Sequence, residues 1–354
     1  MPEKAIPDST RILHVGVVGT GPFSFYGSFN HLINNTFRDY NNLSMRVTHI
    51  WGDDYSKNYK GSPEYVKKML DFWNDDDHSP RGIAKHCGIP NVCDDFRDMA
   101  DEVDAALIMD FDRSYELAEP FLKRGKPVYI CSPVAVSVPE CEKLLDLAEE
   151  NNAAVFTGAY SLSLYENVYR YQRIRQNDIA SFFASTSFAF FTSYAPDGLD
   201  PLYLLIGPGV RSVALHGWNG SSGYDPTGIP VSRINLEYEP RGDNPPIQGV
   251  LTLGGFKRTT EWYKVYYRDH TVMEGVTNTN WGKYERTLRD IILDIQEVLV
   301  TNKSLETRED ILNKMKMVIA AYKSANEDNR KVLLSEVGDY RLPTVRIEKW
   351  DEIP

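Results

Sequence analysis

The chain has 354 residues, enough for two domains with substantial cores. A composition of 42% hydrophobic and 25% charged residues is that of an ordinary soluble protein, and no apolar run approaches the roughly 18 to 20 residues of a membrane span. With 50 Asp and Glu against 39 Lys and Arg, the net charge of −11 argues against a nucleic-acid partner and against an anionic membrane surface.

Met1 to Thr10 has no apolar h-region, so no secretory signal is expected and a cytoplasmic location is. Cys87, Cys93, Cys131 and Cys141 form no C-x-x-C pair and stand beside no histidine at ligand spacing. Free thiols and no metal site are expected.

Residues 12 to 18, Ile-Leu-His-Val-Gly-Val-Val, are the first predicted strand. Gly19-Thr20-Gly21-Pro22-Phe23-Ser24 follows, then a mixed apolar stretch through Leu32 and Ile33. Strand, tight turn and helix in this order suit dinucleotide binding. Gly19 can take the turn's unusual backbone angles, and Gly21 lets a pyrophosphate approach the backbone. Pro22 fits the first helical turn, where its missing N–H is not missed. Thr20 and Phe23 complete the assigned cofactor loop. Ser24 stands where a third glycine is usual, and a plain tight turn is the alternative.

Met45 to Trp51 is a second strand, ending in Gly52-Asp53-Asp54. Asp53 is assigned to the adenosine ribose, against the alternative that it opens a solvated loop with Asp54. It lies about 30 residues past Gly21 rather than the roughly 20 of the usual fingerprint, and an insert from Asn34 to Asn42 accounts for the excess. Trp51 to Asp54 contains no arginine to receive a 2′-phosphate, so NAD is expected over NADP.

Ser62 to Trp73 reads as a helix and Asp75 to Pro80 as a solvated loop. Asp104 to Met109 is a short buried strand, and Asp110 and Asp112 after it are assigned to the cofactor site. Tyr115 to Arg124 is a helix closed by Gly125, and Pro127 to Cys131 is a strand. Ser137-Val138-Pro139-Glu140 has the spacing of a capping box, with Val138, Cys141, Leu144, Leu145 and Ala148 at helical spacing behind it. Ala153 to Thr157 is one more strand, stopped by Gly158. Alternating units of this kind imply a parallel sheet covered by helices, a Rossmann domain over residues 1–158.

After residue 158 the pattern changes. Phe182 to Tyr194, Arg211 to Trp218, Val231 to Tyr238, Gly249 to Leu253 and Thr259 to Arg268 read as strands with no helix between them. Leu288, Ile291, Ile292, Ile295, Val298 and Leu299 give one helix face; Ile311, Leu312, Met315, Val318, Ile319 and Tyr322 give another. The expected fold class is therefore α/β, with an α+β domain of open-faced, mostly antiparallel sheet over residues 159–338 and a polar tail over 339–354. Phe182, Phe188 and Phe190 share one strand face, with Phe183 and Phe191 on the other. An apolar strand on both sides suggests helices on one face and a second subunit on the other, hence a homo-oligomer, dimer or tetramer.

Taken together, the chain resembles the Gfo/Idh/MocA oxidoreductase family over roughly residues 11 to 335. The resemblance is carried by Val15 to Ser24, Asp104 to Ile108, Ala118 to Val128, Ser132-Pro133, Glu140 to Glu150, Ile206-Gly207-Pro208-Gly209 and Ala320 to Ala325. It implies a nicotinamide cofactor and often a sugar or cyclitol substrate.

The catalytic residues depart from the pattern. The resemblance implies a lysine before the proline that follows the fifth strand; this chain has Cys131-Ser132-Pro133. It implies a histidine shortly before the Gly-Pro-Gly turn; Asp197 stands near that place, with Asp200 close by. Gly158-Ala159-Tyr160 follows the sixth strand where Gly-His is common. Ser132, Tyr160 and Asp197 are thus the catalytic candidates, and Ser132 also lines the cofactor site. Each has a plainer reading: Ser132 as filler, Asp197 as a turn former in Pro-Asp-Gly, Tyr160 as core or rim. A tyrosine with its ordinary pKa near 10 is a poor base at neutral pH without a neighbouring cation, and no lysine stands nearby in sequence, although folding could bring one. His216, at a strand end, is a weaker candidate to face the substrate.

The expected function is a nicotinamide-dependent oxidoreductase acting on a polyhydroxylated small molecule. The alternatives are a catalytically inactive NAD-binding sensor or regulator, and a lyase or epimerase with tightly held NAD.

Overall fold

The computed structural model describes residues 12–19, 33–34, 43–52, 79–110, 113–158, 175–186, 199–200, 202–203, 205–217, 232–253, 260–278 and 284–342. The chain forms two compact units. The first comprises Met1–Cys131, Lys143–Phe156 and Ile292–Leu305; the second comprises Ser132–Glu142, Thr157–Ile291 and Glu306–Pro354.

In the first unit the described elements are β1 (Leu13–Val18), β2 (Met45–Trp51), α1 (Pro80–Cys87), β3 (Asn91–Val92), α2 (Phe96–Glu102), β4 (Ala105–Ile108), α3 (Ser114–Leu122) and β5 (Val128–Cys131). The helix α4 (Val138–Glu150) and the strand β6 (Val155–Gly158) follow. The six strands form one parallel sheet in the order β3-β2-β1-β4-β5-β6. That is the doubly wound order, which reverses its direction of growth between β1 and β4. Val15, Val17 and Val18 of β1 and Ala105 to Ile108 of β4 are all buried, as expected for strands covered on both faces.

Two helices and a strand of this unit were not read from the sequence. Pro80 does not end a loop but starts α1. Ser79 caps it by accepting from the Gly82 N–H at 3.1 Å, and Gly88, with φ +65°, closes it. Asp95 caps α2 in the same way, accepting from the Arg97 N–H at 2.8 Å. The two-residue β3 is too short to leave a periodic signal.

At Ser137 the cap forms as its spacing predicts, with the Glu140 N–H donating to Ser137 Oγ at 3.3 Å. Residues 292–305 pack with the first unit. There Asn302 Oδ1 accepts from the Ala154 N–H at 2.7 Å, and Ser304 Oγ donates to Val155 O at 2.7 Å.

The second unit holds β7 (Ile179–Thr186), β8 (Val210–His216), β9 (Ser232–Tyr238), β10 (Gln248–Leu253), β11 (Thr260–Tyr267) and β12 (Val272–Asn278). It continues with α5 (Tyr284–Thr301), whose last turns belong to the first unit, then α6 (Arg308–Asn326) and β13 (Val332–Leu333). Seven strands pair in the order β12-β11-β7-β10-β9-β8-β13. The sheet is antiparallel except for β10 against β7, which run parallel. The intervening β8 and β9 give the chain the long return that a parallel pair requires.

α6 covers β8. Its buried Ser324 accepts from the Leu215 N–H at 2.9 Å and donates to Arg330 O at 2.6 Å. The opposite sheet face leaves Phe183, Tyr266 and Val272 at 45%, 39% and 50% exposure, while Phe182 in the same strand is fully buried. Phe188, Phe190 and Phe191 lie outside the described residues. Among the described residues, no helix is long and apolar enough to cross a membrane.

Phe182 is buried against a glycine. Its ring lies over Gly249, its partner on β10, where an added Cβ would come within 1.9 Å of the ring. Gly249→Val is expected to destabilise the protein by about 1–3 kcal/mol, the usual cost of overpacking a core. In the Phe182→Ala background the same change should cost much less, because the ring that it strikes is gone. Equal losses in both backgrounds by chemical denaturation would show that the contact is not responsible.

Candidate functional site

In the first unit, Gly19 ends β1 at the carboxyl edge of the sheet. Its φ is +100°, and its N–H donates to Trp51 O at 2.9 Å. An added Cβ would lie 2.9 Å from Asp110 Cβ and 3.1 Å from the Asp110 backbone nitrogen. Backbone angle and space therefore both demand glycine here.

The ends of β1, β2 and β4 meet at this point. Asp110 forms an ion pair with Arg113 at 2.9 Å, and the Arg113 guanidinium sits 5.7 Å from the Trp51 ring centroid. The bare backbone at the switch point of a doubly wound sheet fits a dinucleotide pyrophosphate. The segment Trp51 to Asp54 has no arginine of its own, but Arg113 reaches Trp51 from the start of α3. Thr20, Gly21, Pro22, Phe23, Asp53 and Asp112 lie outside the described residues.

In the second unit, Ser132 opens the chain after β5 and belongs to a buried polar cluster. Ser132 Oγ lies 3.5 Å from Asp200 Oδ2. Lys314, from the second turn of α6, places its Nζ 3.7 Å from the same oxygen and donates to Glu306 Oε1. Asp200 and Lys314 are each 4% exposed.

Burial opposes the charge on Lys314, but Asp200 and Glu306 outweigh it and raise its pKa. Burial pushes Glu306 up as well, against the pull of Lys314. Together these directions fit an ammonium shared by two carboxylates, with Glu306 harder to ionise than an exposed glutamate.

The local sequence explains how Lys314 arrives. Thr307 and Asp310 form a reciprocal capping box that starts α6, and Asp310 also accepts from Tyr203 Oη at 2.9 Å. Tyr203 comes from the same segment as Asp200, so the first turn of α6 fixes that segment. Lys314 then follows Ile311 by three residues on the buried face. Apolar periodicity alone passes over a charged residue there. The legible signal was a lysine inside the stripe Ile311, Met315, Val318.

A cavity of about 10 Å³ is bounded by Ser132, Pro133, Thr157, Asp200 and Lys314, with Ile311, Met315 and Val318 behind them. That is room for about one water. Thr157 is 3% exposed, and its Oγ1 makes no hydrogen bond among the described residues.

His216 lies elsewhere. It lines a shallow hollow of about 550 Å³ on the sheet, with Arg233, Asn235 and Phe183. Tyr160 and Asp197 lie outside the described residues. Among the described residues no three His, Cys, Asp or Glu side chains could hold a metal, and all four cysteines are free. Burial pushes the Cys141 thiol up to about 12, so it is not a nucleophile at neutral pH.

Residues 13–159 match the family model of the Gfo/Idh/MocA proteins, described as an oxidoreductase family with an NAD-binding Rossmann fold. No curated protein matches the chain in sequence. Solved structures do match in fold. A probable dehydrogenase from Thermotoga maritima has a TM-score of 0.67 at 14% identity, covering 92% of this chain and 100% of that one. Scyllo-inositol dehydrogenase from Lactobacillus casei, with bound NAD(H) and scyllo-inositol, has a TM-score of 0.66 at 14% identity, covering 92% and 100%. Myo-inositol 2-dehydrogenase from Lactobacillus plantarum has a TM-score of 0.63 at 12% identity, covering 91% and 99%. At these identities the likeness is one of fold.

Removing the cation from the cluster tests its energetics. Lys314→Met should destabilise the protein by roughly 3–5 kcal/mol at neutral pH, because two buried carboxylates lose the ammonium beside them. The sign with pH follows from Glu306. A carboxyl whose folded pKa is raised contributes stability below its unfolded pKa and loses it as pH rises through the folded value. The loss in Lys314→Met should therefore be larger in mildly alkaline than in mildly acidic buffer. Denaturant titrations that give the same loss at both would contradict the pairing.

Proposed function

From the premise that residues 13–159 form a Gfo/Idh/MocA NAD-binding Rossmann domain, we propose that this chain is an NAD-dependent oxidoreductase acting on a sugar, cyclitol or related polyhydroxylated small molecule. The observation that carries the reading is Gly19, held at φ +100° against Asp110 at the carboxyl edge of the parallel sheet. Structures of the same fold named for scyllo-inositol and myo-inositol support the cyclitol class.

The bound dinucleotide supplies a hydride acceptor. The chain's residues do the rest. The Gly19 to Phe23 turn offers backbone N–H groups to the pyrophosphate. Asp53 accepts from the ribose hydroxyls and repels a 2′-phosphate, which favours NAD over NADP. Asp110 and Asp112 are further cofactor candidates, and Ser132, Tyr160 and Asp197 are the candidates to act on the substrate, Ser132 for the cofactor as well. A second reading, an NAD-binding regulator without turnover, is favoured by Ser132 itself, which carries no charge where the resemblance implies a lysine.

Millimolar NAD should raise the melting temperature, since a ligand that binds only the native state stabilises it by mass action. NADP should raise it less, and Gly21→Arg, whose side chain would occupy the pyrophosphate's place, should abolish the shift. NADH formation with myo-inositol, scyllo-inositol and a panel of sugars separates the enzyme from the regulator. If neither dinucleotide shifts the melt or binds by calorimetry, the cofactor assignment fails.

The open sheet face, with Phe183, Tyr266 and Val272 exposed, supports a homo-oligomer through that face. Light scattering at micromolar concentration should give at least a dimeric mass, and Phe183→Glu should lower it. A monomeric parent protein overturns this.

A further inference from the structure

Arg113 stands where local structure argues against it. It is the residue before α3, and its side chain makes no cap bond to that helix. A helix N-terminus carries partial positive charge and disfavours a cation. Two contacts nevertheless hold the guanidinium there. Its Nε and Nη2 donate to one oxygen of Asp110, Oδ2, at 3.2 and 2.9 Å. Its central carbon lies 5.7 Å from the Trp51 ring centroid. That ring is itself fixed, because Trp51 Nε1 donates to Asp94 O at 3.2 Å and Phe96 packs against it at 4.9 Å between centroids. The side chains of Arg113 and Asp110 are 21% and 16% exposed, so solvent and salt screen this pair less than a surface pair.

All of these residues belong to the first unit. On a doubly wound sheet the adenosine ribose is recognised near the end of the second strand. There a carboxylate favours the 2′-hydroxyl of NAD, and an arginine favours the 2′-phosphate of NADP. Trp51 is the last residue of β2. An arginine is therefore present at that end, delivered by the connection from β4 to α3 and not by the segment Trp51 to Asp54. The other arginine nearby, Arg97, lies 4.5 Å over the Phe96 ring and pairs with Asp95 and Glu116.

We propose that the Asp110–Arg113 pair sets the choice between NAD and NADP, with Arg113 the cation suited to a 2′-phosphate and Asp110 the carboxylate that engages it. This rests on the NAD-binding reading above. While the pair holds, its two charges cancel, and the guanidinium edge formed by Nε and Nη2 faces Asp110. A 2′-phosphate then finds a neutral pair beside the Asp53 carboxylate, and NAD is favoured. Asp110 is a specificity residue that acts through Arg113. An arginine that served the pyrophosphate would treat both dinucleotides alike, because both carry that group.

Calorimetric titrations of the full-length protein with NAD and with NADP test this through the ratio of the two affinities. Asp110→Asn keeps the Cβ beside Gly19 and removes the carboxylate charge from the guanidinium. The preference for NAD should then fall by about 10-fold, the worth of one hydrogen bond to a charged group. Arg113→Met leaves the Asp110 carboxylate without this cation, and the preference should rise. In the double variant the ratio should return near the parent's value, as two residues acting through one pair require. Thermal melts establish which variants fold, and either single variant by itself gives a sign. A ratio that neither single variant moves, that both move in the same direction, or that stays low in the double variant overturns the selector and leaves the NAD-binding reading standing. A parent protein that binds neither dinucleotide overturns that reading, and the selector with it.

Discussion

Burying the Lys314 ammonium is the constraint around which the second unit is arranged. An unpaired charge at that depth is prohibitive, so at least one carboxylate must meet it, and two do. Glu306 is delivered by the turn that precedes α6. Asp200 is delivered by the segment leading to Gly207-Pro208-Gly209, which is itself fixed at both ends. Tyr203 is tied to the capping residue Asp310. Beyond it, Arg241 donates to Gln176 O, Ile206 O and Pro208 O at 2.6, 2.8 and 2.9 Å. Ser132 and Thr157 then border a cavity whose polar wall is made by side chains from distant parts of the chain.

The first unit answers a different demand, for bare backbone. At the end of β1 the chain must turn with positive φ and pass within van der Waals contact of Asp110, which excludes any side chain at residue 19. The Asp110–Arg113 pair closes the rim of this turn. Parallel pairing of β1 with both β2 and β4 brings the rim together.

Sheet packing in the second unit repeats the theme of close approach. Gly249 makes room for Phe182, whose ring meets Tyr238 edge-on at 6.0 Å between centroids. One face of β7 is thereby committed to the core. The next residue, Phe183, points to the other face and stays exposed, which is the alternation of a strand buried on one side.

The sequence by itself determined the order of most of the described strands and helices, because buried parallel strands and amphipathic helices leave periodic marks, but it did not show the strands Val272–Asn278 and Val332–Leu333. It also determined the glycine at the end of β1, Gly19, and the change from alternating βα units to a second sheet. Elements defined by caps rather than periodicity were not legible as such: α1 behind Ser79-Pro80, α2 behind Asp95, and β3 with its two residues. The parallel pairing of β7 with β10 was hidden because register between distant strands is not a local property. Ser132 could be seen as a serine where the resemblance implies a lysine, and no more. Only the tertiary structure brought Lys314 to it, across more than half the chain, because a charged residue on an apolar helix face reveals its role only when its buried counter-charges are in place.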